Sequence, residues 1–228
     1  MISIIIPVLN EAENIRNTLV YLQEEVGDSE GEIIVVDGGS KDQTVAIAKS
    51  LDVIVIESVK PGRANQMNAG AAIATGDILL FLHADTKLPH DYASLIINTL
   101  AKPKVIAGAF ELAIDSQQKS LRFIEAMVKM RSHWFSLPYG DQALFITRST
   151  FEKIGGFPEV AIMEDFVLVK QLKRQGKIAI APAAVTTSSR RWEKLGVWQT
   201  TMINQLMILG YYLGISPDKL RKFYANRK

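Results

Sequence analysis

An α/β fold built on a mostly parallel sheet, with helices on both faces, is what this 228-residue sequence predicts. Three observations predict it. Short β-rich apolar runs alternate with longer segments of helical period, the pattern of successive βαβ units. The strand-like runs are continuously apolar instead of alternating, as strands covered on both faces must be. An apolar content of 48% gives a chain of this length enough material for one continuous core.

In chain order, Ser3–Ile6, Glu32–Val36, Val53–Ile56 and Ile78–Leu82 read as strands. Between them Glu11–Glu25, Asp42–Ser50 and Arg63–Ala74 carry apolar residues three and four apart and read as helices. The second half is less regular. Val105–Ile114 and Ala143–Thr147 read as strands on either side of an amphipathic stretch, Leu121–Phe135. Phe151–Ile154 and Glu164–Arg174 read as helices, and Lys177–Val185 as a strand pair broken at Pro182. Glu193–Tyr212 reads as one long helix, followed by a Ser216-Pro217-Asp218 N-cap and a short basic helix. No linker or repeat divides the sequence, so a single domain is expected: a body over residues 1–192 with a helical C-terminal appendage, 193–228, packed on it.

Charge and composition narrow the function. The 26 basic and 24 acidic residues nearly cancel and are intermixed, which argues against a nucleic-acid partner. The exception is a basic tail at Lys219, Arg221, Lys222, Arg227 and Lys228. Absence of cysteine removes disulfides, thiolate metal sites and cysteine nucleophiles together, and is compatible with a reducing, cytoplasmic setting. The first residues lack the basic and long apolar regions of a signal peptide and read as the first strand. The most apolar late segment, Val197–Ile215, is interrupted by Gln199, Asn204 and Gln205 and falls short of a membrane span. A cytoplasmic chain that at most touches the inner face of a membrane is expected.

In an open parallel sheet, ligands bind outside the carboxyl ends of the strands. Those ends carry Pro7-Val8-Leu9-Asn10-Glu11, Asp37-Gly38-Gly39-Ser40 and His83-Ala84-Asp85. Taken singly, Asp37 and Ser40 serve equally well to turn the chain and cap a helix. Three such ends together point to a polar ligand.

These segments carry a resemblance. Ser3-Ile4-Ile5-Ile6-Pro7-Val8-Leu9-Asn10-Glu11 and Ile34-Val35-Val36-Asp37-Gly38-Gly39-Ser40-Lys41-Asp42-Gln43-Thr44 resemble the opening of family 2 glycosyltransferases. Gly76–Asp85 resembles their DXD region, and Met163-Glu164-Asp165 their base-carrying acidic motif; the likeness runs from about Ile2 to Trp192. It implies a GT-A fold, a nucleotide-sugar donor, a divalent metal and a hydroxyl acceptor.

On that resemblance Asp37 falls where the family binds the base edge of the nucleotide, and a carboxylate is a sensible acceptor for a ring N–H. Pro7, Asn10, Glu11, Gly39, Ser40 and Ala84 line the same pocket; an ordinary first-turn acid is the alternative for Glu11. Arg63, opening a helix after Gly62, is assigned to the diphosphate. Asn68, one turn on, contacts the ribose, holds the DXD loop, or is a helix-surface amide. Asp85 matches the end of DXD and would hold Mn²⁺ or Mg²⁺ with diphosphate oxygens and waters. His83 replaces the first aspartate, and three readings stand: metal ligand, ribose partner or satisfied structural histidine. Asp165 is the expected base, with Glu164 beside it, although paired acids opening a helix also suit its dipole. One base without a second carboxylate placed as a nucleophile implies inversion at the anomeric carbon. Gly140, Asp141 and Gln142 are placed near donor sugar or acceptor, with Trp134, Phe135, Pro138 and Tyr139 as a stacking wall or as core.

Ser189-Arg190-Arg191-Trp192 resembles the end of the QxxRW motif of processive relatives, with Ser188 in place of glutamine. That departure argues against a polymerising enzyme, while Arg191 and Trp192 remain candidates to close on donor or acceptor. The nearest rivals fail at the first strand end: it has neither the glycine-rich loop and lysine of a sugar-phosphate nucleotidyltransferase nor the G-x-G-x-x-G of a dehydrogenase. A non-catalytic binding or scaffolding protein of the same fold would have little reason to keep both Asp85 and Asp165.

Two questions stay open. The combination of a compact chain, Leu82-His83-Ala84-Asp85-Thr86 and Tyr139-Gly140-Asp141-Gln142 resembles a small bacterial subgroup linked to arsenosugar biosynthesis, but no residue selects the acceptor; UDP is the default donor nucleotide and GDP the alternative. The late helix is apolar around much of its circumference, with Trp198, Met202, Leu206, Leu209 and Leu213 on one side and Ile203, Met207 and Tyr211 near another. Such a helix requires a cover: the domain's own core, a second subunit in a homodimer, or a membrane surface aided by the basic tail.

Overall fold

The computed structural model describes residues 1–26, 31–225 and 227; Lys228 of the basic tail lies outside them. The chain opens with a repeated strand–helix unit: β1 (Ile2–Val8), α1 (Ala12–Val26), β2 (Gly31–Asp37), α2 (Thr44–Lys49), β3 (Ile54–Glu57), α3 (Arg63–Ile73) and β4 (Ile78–Phe81). β2, β1 and β4 run parallel with β3, so their carboxyl ends share one edge, with Val8 in register with Asp37 and Asp37 with Glu57. The rest of the chain extends this sheet through β7 (Leu144–Thr147), β6 (Val105–Asp115), β8 (Lys177–Ser188) and the two-residue β5 (Thr86–Lys87), in the order β3-β2-β1-β4-β7-β6-β8-β5. β7 is antiparallel to both its neighbours, and β6 and β8 are parallel.

Continuous apolar runs predicted a sheet buried on both faces, and that is its state. Ile4 and Ile6 point to one side, where Ile15, Leu19 and Leu22 of α1 cover them. That layer continues with α4 (Tyr92–Leu100) and α5 (Lys119–Phe135). Ile5 points to the other side, under α3, α6 (Arg148–Lys153) and α7 (Glu164–Gln175). The chain closes with α8 (Arg190–Leu195), α9 (Val197–Tyr212) and α10 (Pro217–Ala225).

Three elements differ from their sequence reading, each for a local reason. Lys177–Ser188 is one strand, not a pair. Pro182 is exposed and sits where the β6 register slips between Ala109 and Glu111, so the bulge absorbs the missing N–H donor. The long late helix is two, because Gly196 turns between α8 and α9 with φ 84°, a conformation costly for other residues. α4 had no assignment: its Ile- and Thr-containing run is a weak helix former, and burial of Tyr92, Ile96 and Thr99 decides it.

One polar clamp ties this frame together at the amino ends of the strands. Glu32 on β2 accepts from the Ser3 hydroxyl of β1 and from the backbone N–H groups of Thr75 and Gly76, which lead into β4. Partial burial raises its pKa, but these donors outweigh it and hold the carboxyl below its usual value of 4.5. The folded value lies below the unfolded one, so the contribution is complete above pH 4.5 and fades as the pH falls through the folded value. Glu32→Gln is expected to destabilise the fold by about 1 kcal/mol at pH 7, discounted for solvent screening, with the difference shrinking in acid; denaturant melts at both pH values check it.

Candidate active site

The carboxyl-edge loops converge because the sequence ties them to one another. Asn10, at φ 56° in the left-handed region that Asn tolerates, accepts from Lys41 N at 2.8 Å, while its own N–H donates to Ser40 Oγ at 2.9 Å. Gln66 of α3 reaches from below and donates to the carbonyls of Val8 and Val36, both at 2.8 Å. The loops after β1 and β2 therefore form one rigid floor.

On that floor Asp37 is 2% exposed. Its Oδ2 accepts from Gly39 N at 2.8 Å and Ser40 N at 2.9 Å, a geometry that needs Gly39 at φ 96°. Its Oδ1 is buried and has no hydrogen-bond partner among the described residues. A buried carboxylate oxygen without a donor is costly, so this oxygen is suited to an incoming N–H.

Two cavities share Arg63, His83, Asp141, Arg191, Asn204 and Tyr224 in their walls. The larger, about 680 Å³, runs along Pro7, Glu11, Ala84, Asp85, Arg190 and Trp192. The smaller, about 330 Å³, runs along Tyr139, Glu164, Asp165, Phe166, Met207 and Ile208. Their sizes suit a nucleotide-sized ligand with a second pocket beside it.

Acids and guanidinium groups alternate through both. Arg190 Nη2 lies 3.2 Å from Glu11 Oε2 and 3.9 Å from Asp85 Oδ2. Burial, then the Glu11 charge, raises the Asp85 carboxyl, against the pull of Arg190 and Arg63. Arg63 Nε lies 3.9 Å from Glu164 Oε1; burial, then Asp165, raises Glu164, and Arg63 opposes that. Burial and then the Arg63 charge pull the His83 imidazole down to about 3, so it is neutral. Burial likewise raises Asp141, whose Oδ1 has no partner among the described residues.

Asp165 is the most firmly held of these acids. Its Oδ2 accepts from Gly140 N at 2.6 Å and its Oδ1 from Phe166 N at 2.7 Å. A methyl group built on Gly140 would stand 3.1 Å from Asp165 Oδ2 and 3.5 Å from His83 Nε2, so these three residues meet at one point. Met163, which launches α7 into this corner, is left-handed at φ 66°, and Ala143, just past Gly140, at φ 48°. Strain of this kind gathers at functional sites.

The structure thus brings together Pro7, Glu11, Arg63, His83, Ala84, Asp85, Gly140, Asp141, Glu164, Asp165, Arg191 and Trp192 around the cavities. Asn10, Asp37, Gly39 and Ser40 belong to the floor and line neither cavity. Two further predicted site residues, Asn68 and Gln142, are spent on the fold. Asn68 uses its amide on the Phe157 backbone, donating to O and accepting from N, both at 2.9 Å. It thereby holds the loop before α7 and lines neither cavity. Gln142 is fully buried: its Oε1 accepts from Arg131, Ser132 and Tyr139 N, and its amide donates to Phe110 O. It positions the Gly140 turn instead of facing a ligand.

Sequence reasoning missed Arg190, Asn204, Met207 and Tyr224. Arg190 had a signal, since it adjoins Arg191, but a helix sends adjacent side chains in different directions and the motif named the second one. Arg191 donates to Asn204 Oδ1 at 3.1 Å and lies 4.8 Å from the Tyr224 ring centroid, so the C-terminal helices form part of the cavity wall.

Comparison with known proteins identifies the family. The family model described as Glycosyl transferase family 2 matches residues 3–157. A probable glycosyltransferase of Bacillus subtilis, YdaM, is 29% identical over 216 residues, covering 85% of this chain and 50% of that protein. The chain thus spans about half the length of that curated relative. Among solved structures, a mannosyltransferase from Pyrobaculum calidifontis in complex with GDP-Man and Mn²⁺ aligns with TM-score 0.65 at 24% identity, over 81% of this chain and 56% of that one. Glucosyl-3-phosphoglycerate synthase from Mycobacterium tuberculosis, in complex with Mn²⁺, UDP and glucosyl-3-phosphoglycerate, aligns with TM-score 0.60 at 19% identity, over 82% and 70%. These likenesses establish a shared fold.

Proposed function

The chain belongs to glycosyl transferase family 2, and from that premise we propose that it moves a sugar from a nucleoside-diphosphate sugar to an acceptor hydroxyl, with inversion at the anomeric carbon. The observation that carries the reading is Asp37: one carboxylate oxygen is locked by two backbone N–H groups, and the other is buried without a donor among the described residues, in the loop tied to the Pro7–Glu11 segment that lines the larger cavity. That oxygen suits the ring N–H of a uracil or guanine base. UDP is the favoured donor nucleotide; the two neighbouring structures contain GDP-Man and UDP respectively.

The diphosphate would extend along the cavity toward Arg63, in the first turn of α3, and Arg190 and Arg191 in α8. Among the described residues no group of three or more His, Asp or Glu side chains could hold a metal ion by itself. Asp85 fits a metal that arrives with the diphosphate, because it turns a carboxylate toward the cavity whose side-chain hydrogen bond, from Thr86 Oγ1, is long at 3.5 Å. Mn²⁺ or Mg²⁺ held there would neutralise charge on the departing diphosphate. Neutral His83 is available as a further ligand.

Asp165 would take the acceptor's hydroxyl proton while that oxygen bonds the anomeric carbon and the bond to the diphosphate oxygen breaks, the diphosphate leaving with the electron pair. Two backbone N–H groups fix the carboxylate for this task. Glu164 lies 3.9 Å from Arg63 beside the diphosphate path, and Asp165, with its two backbone donors, is the better-oriented base of the pair. Tyr139, Phe166 and Met207 give the smaller cavity apolar walls around the incoming acceptor.

Asp37→Ala tests the assignment. Calorimetry should find nucleoside-diphosphate binding weakened about tenfold, one hydrogen bond to a charged acceptor, with the fold intact. Unchanged affinity would move the base elsewhere.

A further inference from the structure

We propose that the outer face formed by α5 and α9 docks on an anionic lipid bilayer. α9 has two sides of different fate. Val197, Ile203 and Met207 pack inward, which answers the need for a cover on that side. Trp198, Met202, Leu206, Leu209 and Leu213 form a stripe at three- and four-residue spacing on the other side, and all are exposed, all but Leu206 to more than half.

α5 carries a second stripe. Phe123, Met127, Met130 and Trp134 recur at the same helical spacing and are exposed, Trp134 to 77%. Phe123 meets Trp198 with ring centroids 6.2 Å apart, so the two stripes join at one end. Contiguous apolar surface of this kind marks an interaction site.

Charge selects the occupant. α9 contains no Asp, Glu, Lys, Arg or His over its sixteen residues. Cations outnumber acids on the elements that carry and adjoin the face: Lys119, Arg122 and Lys129 on α5, Lys194 before α9, and Lys219, Arg221 and Lys222 on α10, whose Leu220 packs on the buried Gly210 of α9. Glu125 pairs with Arg122 and Glu111 with Lys129; among the described residues the other five have no acid within 4 Å. The acids that adjoin these elements in sequence, Asp115, Glu193 and Asp218, are fewer than the cations. A two-fold dimer through this face would set one basic rim against its copy, whereas anionic headgroups would neutralise it. Tryptophan and tyrosine, here Trp134, Trp198 and Tyr212, favour the boundary between headgroups and acyl chains. No helix among the described residues is long and apolar enough to cross a membrane, so the helices would lie in the interface.

α9 also lines the smaller cavity with Asn204, Met207 and Ile208. Docking would hold that cavity about one helix diameter, ~10 Å, from the lipid.

Flotation tests the proposal without any donor, so its outcome is separate from that of the transfer reading. The full chain is mixed with phosphatidylcholine vesicles and with equimolar phosphatidylcholine–phosphatidylglycerol vesicles. It should float with the anionic vesicles, less in high salt, and its tryptophan emission should shift to the blue. Trp198→Glu and Leu209→Glu, both at exposed positions, should each weaken vesicle binding roughly tenfold or more while binding UDP as the unchanged chain does. Failure to float with anionic vesicles, or binding indifferent to both substitutions, would overturn the assignment. So would a dimer, seen by light scattering, that either substitution dissociates, since the face would then belong to a second copy.

Discussion

The Asp165→Asn chain is expected to bind the donor nucleotide as tightly as the unchanged chain and to transfer sugar about 10³-fold more slowly, the range that a positioned general base contributes. Asparagine retains the shape, but its single amide oxygen can accept from only one of Gly140 N and Phe166 N, so a modest loss of stability, about 1 kcal/mol, should accompany an otherwise intact fold. What it cannot do is hold the acceptor's proton. The loss of transfer should therefore appear in kcat, far beyond what the small shift in the thermal melt could cause. Comparable transfer by the variant would remove Asp165 as the base and turn attention to Asp141, which lines both cavities.

Asp85→Ala should weaken Mn²⁺-dependent nucleotide binding by about 10²-fold while leaving the fold unchanged. The side chain makes one long hydrogen bond with Thr86 and lies 3.9 Å from Arg190, so its removal takes little from the folded state. It does alter charge: without Asp85, Arg190 keeps Glu11 as its partner and faces the diphosphate more freely. Weak metal-independent binding should consequently survive or rise. Equal affinity for UDP with Mn²⁺ in both chains would remove Asp85 as the metal ligand.

The legible parts of this molecule were those where local sequence and tertiary context agree. β1, β2 and β4 are apolar without interruption, and burial on both faces leaves such segments no other use. Asp37 and Asp85 stood out because they follow apolar strands, and Asp165 because it opens a helix in an otherwise apolar segment, where a carboxylate must find a role. What was not legible depended on partners far away in the chain. Asn68 and Gln142 are amides whose sequence position suits a ligand, yet Phe157, Arg131 and Phe110 claim them. Arg190, Asn204 and Tyr224 reach the cleft because α8, α9 and α10 fold back over it, and the break that lets them do so is a single glycine. The bulge at Pro182 is the same lesson in a strand: proline reads as an end, but the exposed edge and slipped register let the strand continue.

The central claim is that the cleft receives a nucleoside diphosphate together with a metal ion. Calorimetric titration of the purified chain with UDP and with GDP, each with and without Mn²⁺, tests it most directly. The account predicts binding of one nucleotide, UDP ahead of GDP, that strengthens sharply when Mn²⁺ is added. Absence of binding by either nucleotide under every condition would contradict it.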